Sequence, residues 1–324
     1  MNALTSSSDN DTRPKVSVIV LTYNHEKYIR KALDSILMQV VDFDYEILIG
    51  DDASSDNTCR ILKEYQIKYP NIIHLFLNRI NLGATKNAYN VLMHAKGEYL
   101  ATCEGDDYWS DPQKLQVQVQ FLENNLHFIG CTHKFTMVDE NDVPLKSQNL
   151  TWVRQKKIFS LSDFHGLFLP GQPSTFVRRN VFKKSIIDPK YLYKLHPLVG
   201  DRTAMFMFLI QGKFFLIERK MSAYRINKRA SNSITTHIMQ NKLKYWKLDY
   251  DLINAYERIA LKKGIKVDFS MGKKIIFSKS FLYGVYTSEG GFLKLAKKII
   301  TEQKSWPSYV MFVPFYILNR LYSR

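Results

Sequence analysis

"VSVIVLTYNHEKYIRKALDSIL", residues 16–37, sets the reading of the fold. Its first eight residues form a continuous apolar, β-branched run, the pattern of a strand buried on both faces. "EKYIRKALDSILMQV" follows at helical spacing, with Ile29, Leu33, Ile36 and Leu37 on one face. The same unit then recurs. "YEILIG" (Tyr45–Gly50) precedes a helix over "SDNTCRILKEYQIKYP", which is capped near Ser55 or Asp56 and closed by Pro70. "IIHLFL" precedes "GATKNAYNVLMHAKG", which ends at Gly97. "EYLATC" precedes "DPQKLQVQVQFLENN", which begins after Pro112. Strict alternation of this kind predicts an α/β fold with a mainly parallel central sheet flanked by helices.

Parallel sheets bind ligands outside the carboxyl ends of their strands. Those ends are Thr22-Tyr23-Asn24, Asp51-Asp52 and, in "CEGDDYW", Asp106-Asp107. Adjacent carboxylates facing one crevice repel unless a cation or a hydrogen-bond donor enters. Oxygen ligands suit Mg²⁺ or Mn²⁺, and Mg²⁺ is commonly held by one or two carboxylates together with substrate phosphates. An aspartate that merely caps the following loop is the competing reading of each pair.

Three stretches carry a resemblance: "VSVIVLTYNHEKYIRKALDSIL", "YEILIGDDASSDNT" and "NLGATKNAYNVLMHAKGEYLATCEGDDYWSDPQKL". In order, spacing and strand placement they resemble the nucleotide-sugar-binding half of the family-2 inverting glycosyltransferases of GT-A fold, of the bacterial surface-polysaccharide type. "LVGDRTAMFMFLIQGKFFLIERKMSAYRIN" resembles that family's acceptor-side segment. The resemblance implies transfer of a sugar from a nucleotide-diphosphate donor to an acceptor hydroxyl, with inversion. Leu21, Thr22, Tyr23 and Asn24 would line the nucleobase pocket. Asp52 would accept a hydrogen bond from the base, and Asp51 would shape the turn. Asp107 would ligate the metal, and Asp106 would contact ribose, sugar or metal water. Arg225 would bind diphosphate, and Asp201, opening a helix whose N-terminus favours the ionised carboxylate, would be the general base.

The chain departs from the family pattern at three places. Glu104 stands where many relatives carry Asp, Leu21 replaces the usual proline, and Ala53 replaces the glycine of "DDGS". Three further features stay open between function and structure. Lys86 meets phosphate or ribose, or is simply solvated. Trp109 stacks on a sugar or packs its loop. Pro173, Ser174 and Thr175 wall the acceptor site or serve only as a turn.

Length and composition fit these expectations. The 324 residues are 45% hydrophobic, enough for a full core. Residues 1–13 read as a disordered lead-in without a signal-peptide core. Residues 14–125 read as the nucleotide-sugar half, 126–232 as the acceptor half, and 233–324 as a helical, basic extension. Three cysteines with no CxxC spacing argue against a disulfide framework or zinc site and suit a reducing cytoplasm. No apolar run approaches the roughly 18 residues of a membrane span.

The net charge of +16 is uneven: residues 1–150 carry −6, 151–230 carry +12 and 231–324 carry +10. Such a basic surface points to a polyanionic partner. In "GGFLKLAKKII", Phe292, Leu295, Ala296 and Ile299 fall on one helical face, with Lys294, Lys297 and Lys298 off it. This helix and the aromatic tail either meet an anionic membrane, peripherally and from the cytoplasmic side, or pack on the domain or another subunit; homo-oligomerisation stays open. Other function classes fare worse. A nicotinamide oxidoreductase would need a glycine fingerprint where "TYNHEKYI" has none. A nucleotidyltransferase would need a glycine-rich phosphate loop near the first strand. Nucleic-acid binding has no helix-turn-helix, RNP or zinc pattern to support it.

Overall fold

The computed structural model describes residues 13–146, 150–182, 185–226, 240–303 and 306–322. Most of the expected lead-in lies outside these residues. The alternation is present as read: β1 (Val16–Thr22), α1 (Ile29–Leu37), β2 (Tyr45–Asp51), α2 (Thr58–Lys68), β3 (Ile73–Leu77), α3 (Ala84–Leu92), β4 (Tyr99–Glu104) and α4 (Lys114–Asn124). A two-residue strand, β5 (Tyr108–Trp109), lies between β4 and α4.

The irregular middle of the chain supplies β6 (Phe128–Val138), β7 (Ile158–Phe159), α5 (Leu161–Phe164), β8 (Val177–Arg179), α6 (Tyr191–Lys194), α7 (Gly200–Leu209) and β9 (Lys213–Arg225). Four helices follow: α8 (Lys242–Lys262), α9 (Ser270–Thr287), α10 (Gly290–Thr301) and α11 (Trp306–Tyr322).

The strands form one nine-stranded sheet in the order β3-β2-β1-β4-β8-β6-β9-β5, with β7 on β9. β3, β2, β1 and β4 run parallel, and β8 is antiparallel to both β4 and β6. The order reverses between β1 and β4, since β1 lies between β2 and β4. A crevice opens beyond the strands at such a switch point. Register fixes what faces it: Thr22 lies opposite Asp51, and Leu21 opposite Glu104.

Strand side chains alternate between faces, and the core divides accordingly. Val16, Val18, Val20, Ile47, Ile49, Ala101 and Cys103 pack with α1, α2 and α4. Ile19, Leu48 and Leu100 face the other way, into a cluster that includes Phe206 and Phe208 of α7 and runs on to Tyr256, Ile276, Ile299 and Tyr309. The C-terminal helices therefore share a core with the sheet. In α10, Phe292, Leu295, Ala296 and Ile299 are buried, as their spacing predicts. In α8, Tyr250 and Ile253 are buried, whereas Leu243 and Trp246 are only partly covered. Among the described residues no helix is long and apolar enough to cross a membrane.

Candidate active site

Three strand ends lie side by side at the switch point. The Asp52 N–H donates to Thr22 O at 3.0 Å, and the Gly105 N–H donates to Leu21 O at 2.9 Å. Gly105 permits this approach: a Cβ there would stand 2.8 Å from His25 Nδ1 and 3.0 Å from Leu21 O. Thr22 is buried and its hydroxyl has no hydrogen-bond partner. Tyr23 is exposed. Asn24 adopts a left-handed φ of 56° and accepts the Ser55 N–H at 2.8 Å.

Asp51 is buried and shapes its turn. Oδ2 accepts the Ser54 N–H at 3.0 Å and Oδ1 accepts the Ser54 hydroxyl at 2.5 Å. Ala53 takes φ 62°, so the turn keeps the left-handed residue that glycine would supply, with the Cβ penalty accepted. Asp52 is committed mainly to the protein: Oδ1 accepts from Leu82 N and Asn78 Nδ2, and Oδ2 accepts from Gly83 N. A carboxylate offers about four acceptor positions, so one remains on Oδ2. Lys86 is exposed in the first turn of α3.

The second acidic pair is held by a scaffold that spans the sheet. Asp107 is 2% exposed; its Oδ2 accepts the Ser174 hydroxyl at 2.6 Å and its Oδ1 accepts the Arg225 N–H at 2.9 Å. The same Ser174 oxygen accepts the Glu104 N–H at 3.0 Å. Ser174 belongs to a single 3₁₀ turn, Pro173–Thr175, capped by Gln172, whose side-chain oxygen accepts the Ser174 N–H. Among the described residues, no hydrogen bond reaches the carboxylates of Glu104 or Asp106.

Several expectations are corrected here. Arg225 does not present a free guanidinium to a diphosphate. Its nitrogens donate to Asp106 O at 2.8 Å, Asp139 O at 2.9 Å and Asp142 Oδ1 at 2.6 Å, and its plane lies 4.3 Å from the Tyr28 ring centroid. It pins the Asp106-Asp107 turn instead. Trp109 does not face a sugar: it is 1% exposed and its indole N–H donates to Ser174 O at 3.1 Å. Ser174 and Thr175 are fully buried, and Thr175 bonds Thr132 and Gln172 O, so they hold the acidic loop rather than line an acceptor pocket. Pro173 alone of the three is partly exposed.

Asp201 lies in the first turn of α7, and its Oδ1 accepts the Arg202 N–H at 2.7 Å. The expected stabilisation of its charge by the helix end is outweighed. Burial pushes its pKa up, with the Arg202 charge and N–H opposing. Burial, then the carboxylates of Asp106, Asp107 and Asp201, push Glu104 well up, with Arg178 opposing. Asp107 is raised well above the usual range by burial and by Asp106, while the Ser174 hydroxyl and the Arg225 N–H pull it down. Burial, then the charges of Asp107, Asp106, Glu104 and Asp201 in turn, push the Tyr224 phenol up.

Two arginines partly offset this acid cluster from behind, which the pattern of acids alone does not reveal. One is Arg225. The other is Arg178 of β8, 7% exposed, which donates to Thr102 Oγ1 at 3.0 Å and feels Glu104. Lys114 is also missed by motif reading. It is fully buried, its Nζ lies 4.0 Å from the Trp109 ring centroid without a hydrogen-bond partner, and burial lowers its pKa to about 7.

The donor set suits a divalent cation only in company. No three His, Cys, Asp or Glu side chains among the described residues form a cage by themselves. Among the described residues no hydrogen bond reaches the Asp106 carboxylate, and each Asp107 oxygen accepts one. One or two carboxylates completed by ligand phosphates match the usual Mg²⁺ arrangement.

Residues 17–186 match the family model "Glycosyl transferase family 2". An uncharacterized protein of Mycobacterium tuberculosis is 31% identical over 241 residues, covering 71% of this chain and 63% of that one. The chain thus spans under two thirds of the length of that relative. The GalNAc(5)-diNAcBac-PP-undecaprenol beta-1,3-glucosyltransferase of Campylobacter jejuni is 28% identical over 287 residues, covering 88% of this chain and 84% of its own. The structure of S. aureus TarS 1-349 in complex with UDP-GlcNAc superposes with a TM-score of 0.57 at 19% identity, covering 81% of this chain and 70% of that one, a likeness of fold.

Proposed function

Because the chain belongs to glycosyl transferase family 2, a transferase family built here on a GT-A fold, we propose that it moves a sugar from a nucleotide diphosphate to an acceptor hydroxyl with inversion. The observation that carries this reading is that Asp51-Asp52 and Asp106-Asp107 follow the ends of β2 and β4, the two strands that flank β1 in parallel, with Asp51, Asp52 and Asp107 buried. Four acids in one crevice are costly without a cationic or proton-donating ligand. A nucleotide-sugar diphosphate with its metal brings the missing charge.

The nucleoside lies over the ends of β1 and β2. Leu21, Thr22, Tyr23 and Asn24 border it, and the remaining acceptor position of Asp52 Oδ2 receives the base. Lys86 meets phosphate or ribose. Asp107, with Asp106, holds Mg²⁺ or Mn²⁺, which when bound supplies positive charge at the departing diphosphate. The acceptor oxygen attacks the anomeric carbon from the face opposite the diphosphate. The new C–O bond forms as the bond to the diphosphate breaks, and the electron pair leaves with the diphosphate. Asp201 takes the hydroxyl proton; a base whose pKa is lifted toward the working pH is suited to that task. Residues 14–125 take the donor and 126–232 the acceptor. The Campylobacter relative's name supports a lipid-linked glycan acceptor, which in turn supports peripheral work at a cytoplasmic membrane face.

A donor screen tests the reading. UDP-, GDP- and TDP-sugars are presented with Mn²⁺ or with EDTA, and nucleotide release and thermal shift are followed. At least one donor stabilises the protein with metal and not with EDTA, and Asp107→Asn loses that metal dependence. Absence of any metal-dependent nucleotide binding would sink it.

A further inference from the structure

Residues 306–318 contain no charged side chain, yet α11 is not enclosed. Tyr309 is fully buried, and Phe312, Val313 and Tyr316 pack on the core from the same arc. At 3.6 residues per turn, Val310, Met311, Phe315 and Leu318 fall on the opposite side. Their exposures are 48%, 77%, 54% and 52%, and Ile317 beside them is 40% exposed. Single exposed apolar residues are ordinary, but a whole helix face of them marks an interaction surface.

Charge decides between occupants. Residues 231–324 carry +10, and α10, just before this helix, exposes Lys294 and Lys297, while Lys298 is paired with Asp251 and Glu302. A second copy would bring like charge against like. Anionic headgroups supply the opposite sign, and each basic side chain near such a surface strengthens partitioning about fivefold. Among the described residues no helix is long and apolar enough to cross a membrane; α11 would lie in the plane of the interface, apolar side down.

We propose that the outer face of α11 seats on an anionic lipid bilayer, with the α10 lysines as its electrostatic anchor. This deepens the reading of a lipid-linked acceptor by naming the surface that meets the membrane. Its test needs no donor, so its failure is distinguishable from failure of the glycosyl-transfer reading. The full chain is sedimented with phosphatidylglycerol/phosphatidylcholine vesicles and with pure phosphatidylcholine vesicles, at low and high salt. Three forms are compared: unaltered, Met311→Glu/Leu318→Glu, and Lys294→Glu/Lys297→Glu. Because all four positions are exposed or partly exposed at the surface, unchanged melting and circular dichroism are expected.

The unaltered chain binds the anionic vesicles and is released by salt. Met311→Glu/Leu318→Glu lowers vesicle partitioning roughly tenfold or more, and the lysine variant, losing two basic side chains, lowers it about 25-fold or more. Equal binding by the unaltered and Met311→Glu/Leu318→Glu chains overturns the proposal, as does absence of binding to either vesicle. A dimer in lipid-free solution that Met311→Glu/Leu318→Glu converts to monomer, without vesicle binding, also overturns it and assigns the face to a second copy.

Discussion

Replacing Ser174 with alanine removes one oxygen and breaks two contacts. The Ser174 oxygen accepts the Glu104 N–H at 3.0 Å while donating to Asp107 Oδ2 at 2.6 Å, in a residue with no exposure. In Ser174→Ala the Glu104 N–H loses its acceptor, a cost of about 1–3 kcal/mol for a buried group. Asp107 loses a charge-assisted bond from one oxygen, and water cannot replace the hydroxyl without space. The combined loss is about 2–4 kcal/mol. A chain of this length should melt with an entropy near 0.7 kcal/mol/K, at about 2.1 cal/mol/K per residue, so the midpoint falls by roughly 3–6 °C.

The same change frees the Asp107 carboxylate to rotate. Metal-dependent donor binding should therefore weaken by more than the stability loss alone accounts for. Differential scanning calorimetry gives the first quantity, and titration calorimetry with donor and Mn²⁺ gives the second. A midpoint within 1 °C of the unaltered chain would refute the claim that this hydroxyl holds the acidic loop. Normal donor affinity with a lowered midpoint would refute only its link to the site.

Ala53→Gly should stabilise the protein by about 1 kcal/mol, since the left-handed φ of 62° is unfavourable for a residue with a Cβ; a lower denaturation midpoint in urea would contradict this. Lys114→Met tests a buried amine. Its pKa falls from 10.5 in the unfolded chain to about 7 when folded. Between those values the unfolded state binds more protons, so the lysine's penalty is full below pH 7 and is relieved as pH rises. The advantage of Lys114→Met over the unaltered chain should thus shrink by about 2–3 kcal/mol between pH 7 and pH 9. A difference in stability that does not move with pH would show that Lys114 is not the titrating group.

The half of the fold that was legible in the sequence is the half built from local units. Each of β1, β2 and β4 is a continuous apolar run followed by a helix, so type, order and direction follow without knowledge of distant contacts. The acids at their ends were legible for the same reason, because the rule about strand termini turns position in sequence into position in space. What was hidden depends on pairs far apart in the chain. Ser174 and Asp107 are separated by 67 residues, and Arg225 and Asp106 by 119. Nothing in "GQPS" or "YRIN" announces those partners.

Arg225 was therefore read as a ligand-facing cation when each of its three side-chain nitrogens donates to the protein. Trp109 was read as open between sugar and core when α4 and the 3₁₀ turn had enclosed it. The counter-charge felt by Glu104 was missed because Arg178 lies on a strand that pairs antiparallel with β4, a neighbour the alternation does not predict. In the tail, the apolar stripe of α10 was legible by spacing. The outward face of α11 was not, because a helix apolar all round gives no sign of which side the core will cover.

The central claim is that the crevice at the β1/β4 switch point binds a nucleotide sugar and that Asp201 receives the acceptor's proton. Asp201→Asn keeps the shape of the α7 N-terminus and removes only the base. With a donor identified by the screen and its acceptor supplied, transfer and donor affinity are measured on the same preparation. Transfer should fall by roughly 10²–10⁴-fold, while donor and Mn²⁺ bind as before. Transfer by Asp201→Asn at the unaltered rate would contradict the account.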